Sequence, residues 1–229
     1  MRKNALLILA FYLDFILFGT VIALLTRIIH AMAGGMQEVS ASKLLVYITP
    51  VLAAALAWMI GRSPGRYLLA YPLAEAHTGA KTRLWPNLVL GTFMLLNGLN
   101  SIVDSASDDS LYLAFGILEH TLLGKAFLVV TGLIAALVGA MLLQFTRHAR
   151  AAALVMLVVS TVSAMVSLKD LSPALERSQT ANEKAMGRPH DPEKLTFMQN
   201  YVPMFVLADT LLTAGLLALC RRREEDRAD

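Results

Sequence analysis

Carboxylates inside long apolar stretches are the first residues of this sequence that could do chemistry. Asp14 lies in the apolar run that follows Arg2 and Lys3, and Asp209 lies in the last such run, which ends at Cys220 before Arg221, Arg222 and Arg223. Each stands about ten residues from the basic end of its segment, which predicts a place near the middle of a bilayer, where an Asp costs roughly 2.5–3.5 kcal/mol. Such acids normally face the interior of a bundle and have partners. Two of them at matched depth would make an ion- or proton-coupling pair, because two close carboxylates hold a shared proton or a cation better than two charges. The alternative is structural: each acid is a hydrogen-bonded link between helices, protonated or paired with a Thr or an Asn.

A second polar set lies in one apolar segment. Asn97, Asn100 and Asp104 follow an i, i+3, i+7 spacing, so they share one helical face. They could line a polar pathway toward the outer surface, or form interhelical hydrogen bonds worth about 0.6 kcal/mol each. Glu119, His120 and Lys125 cluster further on and read as an outer vestibule, as a headgroup or quinone site, or as an ordinary solvated interface. His30 and His120 fall near the same outer face on different segments, the minimum geometry for haem held by two histidines. The lone Cys220 can form no internal disulfide, and Cys/His metal spacing is absent. No HExxH, GxSxG or phosphate-binding loop occurs, so the sequence offers no catalytic residue and an enzyme is the less favoured class.

The elements that position these residues follow from composition. Hydrophobic residues make up 56 % and charged residues 16 % of the 229, against roughly 45–50 % and about 25 % in soluble domains. The excess is gathered into blocks of about twenty residues, enough to cross about 30 Å of hydrocarbon. Six spans are expected, over about Ala5–Ile29, Leu44–Ile60, Leu88–Val103, Ala126–Phe145, Ala151–Leu168 and Val202–Cys220. The first run is too long and too acidic for the apolar part of a signal peptide, and is read as a retained span. Leu111–Phe145 is apolar for about thirty-five residues, far more than one crossing needs, so a bend or break is expected near Gly124, with Leu111–Leu118 near the outer interface. Pro50 falls inside the second span and Trp85-Pro86 opens the third. Gly132, Ala136 and Ala140 make a small-residue stripe suited to close helix packing.

Basic residues set the orientation. Arg2 and Lys3, then Arg62, Arg66, Lys81 and Arg83, then Arg147 and Arg150, then Arg221, Arg222, Arg223 and Arg227 all fall on one side of a six-span chain. The positive-inside rule places both termini in the cytoplasm of a bacterial-type inner membrane. Residues 170–199 then form an extracytoplasmic loop, and 221–229 a charged cytoplasmic tail, of a single domain covering 1–229. The net charge of +3 is accounted for by these span ends and by anionic lipid, so nucleic acid is not expected as a partner.

The fragment Ile60-Gly61-Arg62-Ser63-Pro64-Gly65-Arg66 resembles the cytoplasmic loop of major-facilitator transporters. It lacks that motif's acidic residue, and the chain has half the required spans, so no site residue carries over.

Two functional classes are left. One is a small transporter or ion-coupled membrane component with Asp14 and Asp209 as coupling acids. The other is a non-catalytic subunit that packs against other membrane proteins or a second copy of itself, or that binds lipid, quinone or haem at its surface.

Overall fold

A computed structural model of the chain describes residues 3–32, 40–78, 84–106, 112–114, 117–119, 122–167, 176, 180 and 192–220. Among these, helix dominates. The long helices are α1 (Lys3–Met32), α2 (Ser40–Met59), α5 (Trp85–Ser105), α6 (Leu122–Leu143), α7 (Ala149–Ser167) and α8 (Pro192–Leu219), and two short ones, α3 (Pro64–Leu68) and α4 (Ala70–Thr78), follow α2. Five helices have the length and composition to cross a membrane: α1, α5, α6, α7 and α8. Helix α2 carries the apolar segment Ile48–Met59, with Pro50 inside it. The chain is thus a multi-pass helical membrane protein.

Two interfaces organise the bundle. The closest is α5 on α6. Four glycines face each other across it, and a Cβ built on Gly98 would lie 2.5 Å from the backbone nitrogen of Ala136, one on Gly132 2.7 Å from the carbonyl of Gly98. Only hydrogen fits there. In hydrocarbon, where the hydrophobic effect does not drive helices together, such backbone approach supplies the attraction. The stripe read from Gly132, Ala136 and Ala140 does face a neighbouring helix; its complement, Gly91 and Gly98 of α5, was not read from the sequence.

The second interface gathers one end of several helices. Leu6, Ala10 and Leu13 of α1 pack with Leu68 and Leu69 around α3, Leu84 and Leu88 at the start of α5, and Leu143 and Phe145 at the end of α6. A second cluster joins Leu90 and Met94 of α5, Val138 and Leu142 of α6, Ala149 and Ala153 of α7, and Leu217 and Cys220 at the end of α8. The start of α5 and the end of α8 meet in it, so these two helices run antiparallel.

The expected break in the fourth apolar stretch is found, but ahead of Gly124. Helix α6 begins at Leu122, and before it Tyr112–Ala114 (β1) and Ile117–Glu119 (β2) form an antiparallel two-stranded hairpin with Tyr112 opposite Glu119. The apolar sequence does not stop there; the segment pairs locally instead of extending the helix. The fold is otherwise helical among the described residues, as expected from the apolar blocks. His120 lies outside the described residues, as do most of the 170–199 loop and all of the 221–229 tail.

Candidate functional site

Asp14 is completely buried and accepts three hydrogen bonds. In α1, Leu6, Ala10 and Leu13 share one buried face, and Asp14 follows Ala10 by one helical turn, so it points inward with them and is completely buried. Its partners come from the α2–α3 junction. That junction is built by helix stop and start signals only a few residues apart.

Helix α2 ends in a left-handed Gly61 (φ 75°). The Gly61 amide donates to the Trp58 carbonyl at 3.1 Å and the Arg62 amide to the Ala57 carbonyl at 2.9 Å, the paired closure of a glycine-capped C-terminus. Ser63 then caps α3: its hydroxyl accepts from the Arg66 amide at 3.1 Å, with Pro64 in the first helical turn. The Gly65 amide would remain an orphan of the helix start. Asp14 supplies its acceptor, with Oδ1 2.6 Å from the Gly65 nitrogen. The other oxygen, Oδ2, accepts from the Trp58 indole Nε1 at 2.6 Å and from the Ser63 hydroxyl at 2.5 Å. The Ser63 hydroxyl serves both bonds, its oxygen accepting from Arg66 while its O–H donates to Asp14.

All three partners of Asp14 donate, and the three bonds tie one carboxylate to three points of a neighbouring segment. The tie also fixes close packing: a Cβ on Gly65 would collide with the backbone carbonyl of Ala10. Trp58 is held on both sides. Phe11 meets its ring edge-on at 5.7 Å between centroids, and the exposed Arg66 lays its guanidinium 3.9 Å from the ring centroid.

Asp209 stands in the opposite environment. It is the central residue of the apolar stretch Gln199–Leu219, and it is exposed on the outside of α8. Helix α8 packs on α7 and α5, while α1 packs on α2, α3, α4 and α5. The two helices share α5 as a neighbour, but Asp14 is buried against Trp58, Ser63 and Gly65 while Asp209 is exposed, and no hydrogen bond joins the two acids. Asn97, Asn100 and Asp104 do share one face of α5, as their spacing predicts, and that face is exposed as well. None of these four side chains hydrogen-bonds to another described residue; beside them the Ser101 hydroxyl donates to the Asn97 main-chain carbonyl at 3.0 Å. Lys125 is half-buried at the start of α6, and Glu119 ends strand β2. No group of His, Cys, Asp and Glu among the described residues could hold a metal ion.

The Ser63–Gly65 partners of Asp14 are absent from any sequence expectation. A signal existed: Gly61, then Ser63-Pro64, is a helix stop followed by a helix start, and such a junction leaves amides in need of an acceptor.

No protein-family model, curated protein or solved structure matches this chain.

Proposed function

We propose that this chain is a non-catalytic subunit of a membrane assembly. On this reading it spans a bacterial-type inner membrane six times, with α2 as the second crossing and both termini in the cytoplasm. The observation that carries the proposal is the outward-facing polar surface: Asp209 at the centre of its span, with Asn97, Asn100 and Asp104 along α5. A carboxylate facing lipid at that depth costs roughly 2.5–3.5 kcal/mol. Covering it with a neighbouring helix that supplies hydrogen bonds removes that cost, and polar side chains act as such links between transmembrane helices. Asp14 supports the same reading, since both its oxygens already accept hydrogen bonds from the chain's own donors.

Crosslinking and co-purification from native membranes test it. A photoreactive side chain at Val206 or Leu212, beside Asp209 on α8, is expected to capture a membrane partner, and Asp209→Leu with Asp104→Leu to abolish the capture. Unchanged capture by the double variant removes the proposal. Orientation is checked separately with an impermeant thiol reagent on intact cells. A cysteine at the exposed Arg62 is expected to be protected and one at the exposed Thr180 to react; the reverse pattern inverts the topology.

A second reading keeps Asp209 as a proton- or cation-coupling acid at the boundary with that partner, supported by the same central position. Asp209→Asn separates the two. It retains hydrogen bonding and so spares assembly, but it ends coupling.

A further inference from the structure

The strongest unassigned feature is the exposed end of the α2–α3 junction. Arg66 is exposed, has one face on the Trp58 indole, and has no acidic partner among the described residues. Arg62 is exposed four residues earlier and likewise has none. Around them, large apolar side chains are also exposed: Met59 at 77 %, Ile60 at 68 % and Tyr67 at 73 %. Apolar side chains level with a span end and unpaired guanidinium groups beside them match the two halves of a membrane interface, acyl chain and headgroup.

We infer that the Arg62–Arg66 face of this junction binds the phosphate of an anionic phospholipid headgroup. A guanidinium stacked on an aromatic ring keeps its N–H edge free, and that planar edge matches the oxygens of a phosphate in a way an ammonium does not. Stacking also limits the conformations open to Arg66, so less order is lost when the phosphate arrives. The ring is itself anchored, because its Nε1 donates to Asp14 at 2.6 Å. The three contacts of Asp14 thus set the position of the cation that meets the lipid. Charge selects the class: a zwitterionic headgroup carries its own cation, whereas an anionic phosphoglyceride offers the net negative charge the two arginines lack. The inference rests on the chain being embedded in a membrane, and not on its having a protein partner.

The test uses the full chain in lipid nanodiscs, with phosphatidylglycerol titrated into phosphatidylcholine. Trp85→Phe leaves Trp58 as the only indole and so as the fluorescence reporter. The Trp58 emission is expected to shift saturably with phosphatidylglycerol. Arg66→Gln is expected to raise the midpoint about five-fold, the effect of one basic residue at an anionic surface. Arg66→Lys, which keeps the charge but not the fork, should recover only part of that loss. Lys3→Gln removes the same charge at another exposed position and should move the midpoint by less than about two-fold. An equal loss in Lys3→Gln, or no loss in Arg66→Gln, overturns the site, since bulk surface charge would then account for the binding. Inorganic phosphate at millimolar concentration is expected to leave the titration unchanged; competition by it overturns the lipid as the ligand. Melting curves for each variant show that the fold persists, and Arg66→Ala replaces any variant that fails this check. A chain that does not reconstitute into nanodiscs refutes the membrane reading itself, a different result from a reconstituted chain indifferent to phosphatidylglycerol.

Discussion

Asp14 and Asp209 are the same side chain in the same kind of helix, and the structure treats them in opposite ways. Asp14 is sealed from solvent and accepts three hydrogen bonds from a single neighbouring junction. Asp209 lies at the centre of an apolar stretch and faces outward. The difference teaches that a carboxylate in a span is not by itself a functional signal. What matters is whether the chain supplies the donors. Where it does, as at the α1–α2–α3 junction, the acid fastens the fold. Where the described residues supply none, as at Asp209, the donors must come from elsewhere or the acid bears its full desolvation cost.

Substitutions at four positions would break or sharpen that contrast. The largest effect is expected away from both acids, at the α5–α6 contact that holds the frame. Gly98→Leu places a side chain where even a Cβ lies 2.5 Å from the Ala136 nitrogen, so the two helices must separate. Folded yield after detergent extraction should fall to a small fraction of wild type, below that of any Asp14, Ser63 or Asp209 variant, because the backbones themselves must part. Wild-type yield would show that the two helices do not make this contact.

Asp14→Ala should come next. It leaves the Trp58 indole, the Ser63 hydroxyl and the Gly65 amide without their acceptor, at roughly 3–5 kcal/mol in an unfolding titration. Asp14→Asn keeps one acceptor oxygen but turns an amide N–H toward donors, and should recover less than half of that loss. A smaller step follows at Ser63→Ala, which removes the helix cap and one of the three bonds while the indole and the Gly65 amide remain. About 1–2 kcal/mol is expected. A cost equal to that of Asp14→Ala would mean that Ser63 carries the whole junction.

The smallest effect on stability belongs to Asp209→Asn, within about 0.5 kcal/mol in detergent, since no described residue depends on it. The contrast between the acids is sharpest here: Asp14 variants should lose folded protein, and Asp209 variants should lose only what binds to the protein. A destabilisation by Asp209→Asn as large as that by Asp14→Ala would erase the distinction.

Several features were legible in the sequence for reasons that can be named. The apolar blocks had the length of a bilayer crossing, and five of them are helices of that kind. The break before α6 followed from arithmetic, since about thirty-five apolar residues overshoot one crossing. Its position was read a few residues late because Gly124, a helix breaker in isolation, is accommodated in the first turn of α6 as a buried residue. The i, i+3, i+7 spacing correctly put Asn97, Asn100 and Asp104 on one face of α5, but periodicity says which residues share a face and not what that face meets. The pairing of Asp14 with Asp209 was inferred from equal distance to the helix ends. Equal depth carries no information about azimuth or about which helices adjoin.

The sequence alone therefore determined that this protein lives in a membrane, that its polar residues fall on defined helical faces, and where its basic span ends lie. All of these are properties of one segment at a time, fixed by hydrophobicity, helical period and length. Only the tertiary structure decided that Asp14 meets Trp58, Ser63 and Gly65, residues 44 to 51 positions away. It alone decided that Gly98 meets Gly132, and that Asp209 is exposed with no hydrogen bond to another described residue. Those outcomes depend on which helices become neighbours. In hydrocarbon that choice is made by close backbone packing and by donors reaching acceptors, contacts between distant segments that no local pattern encodes.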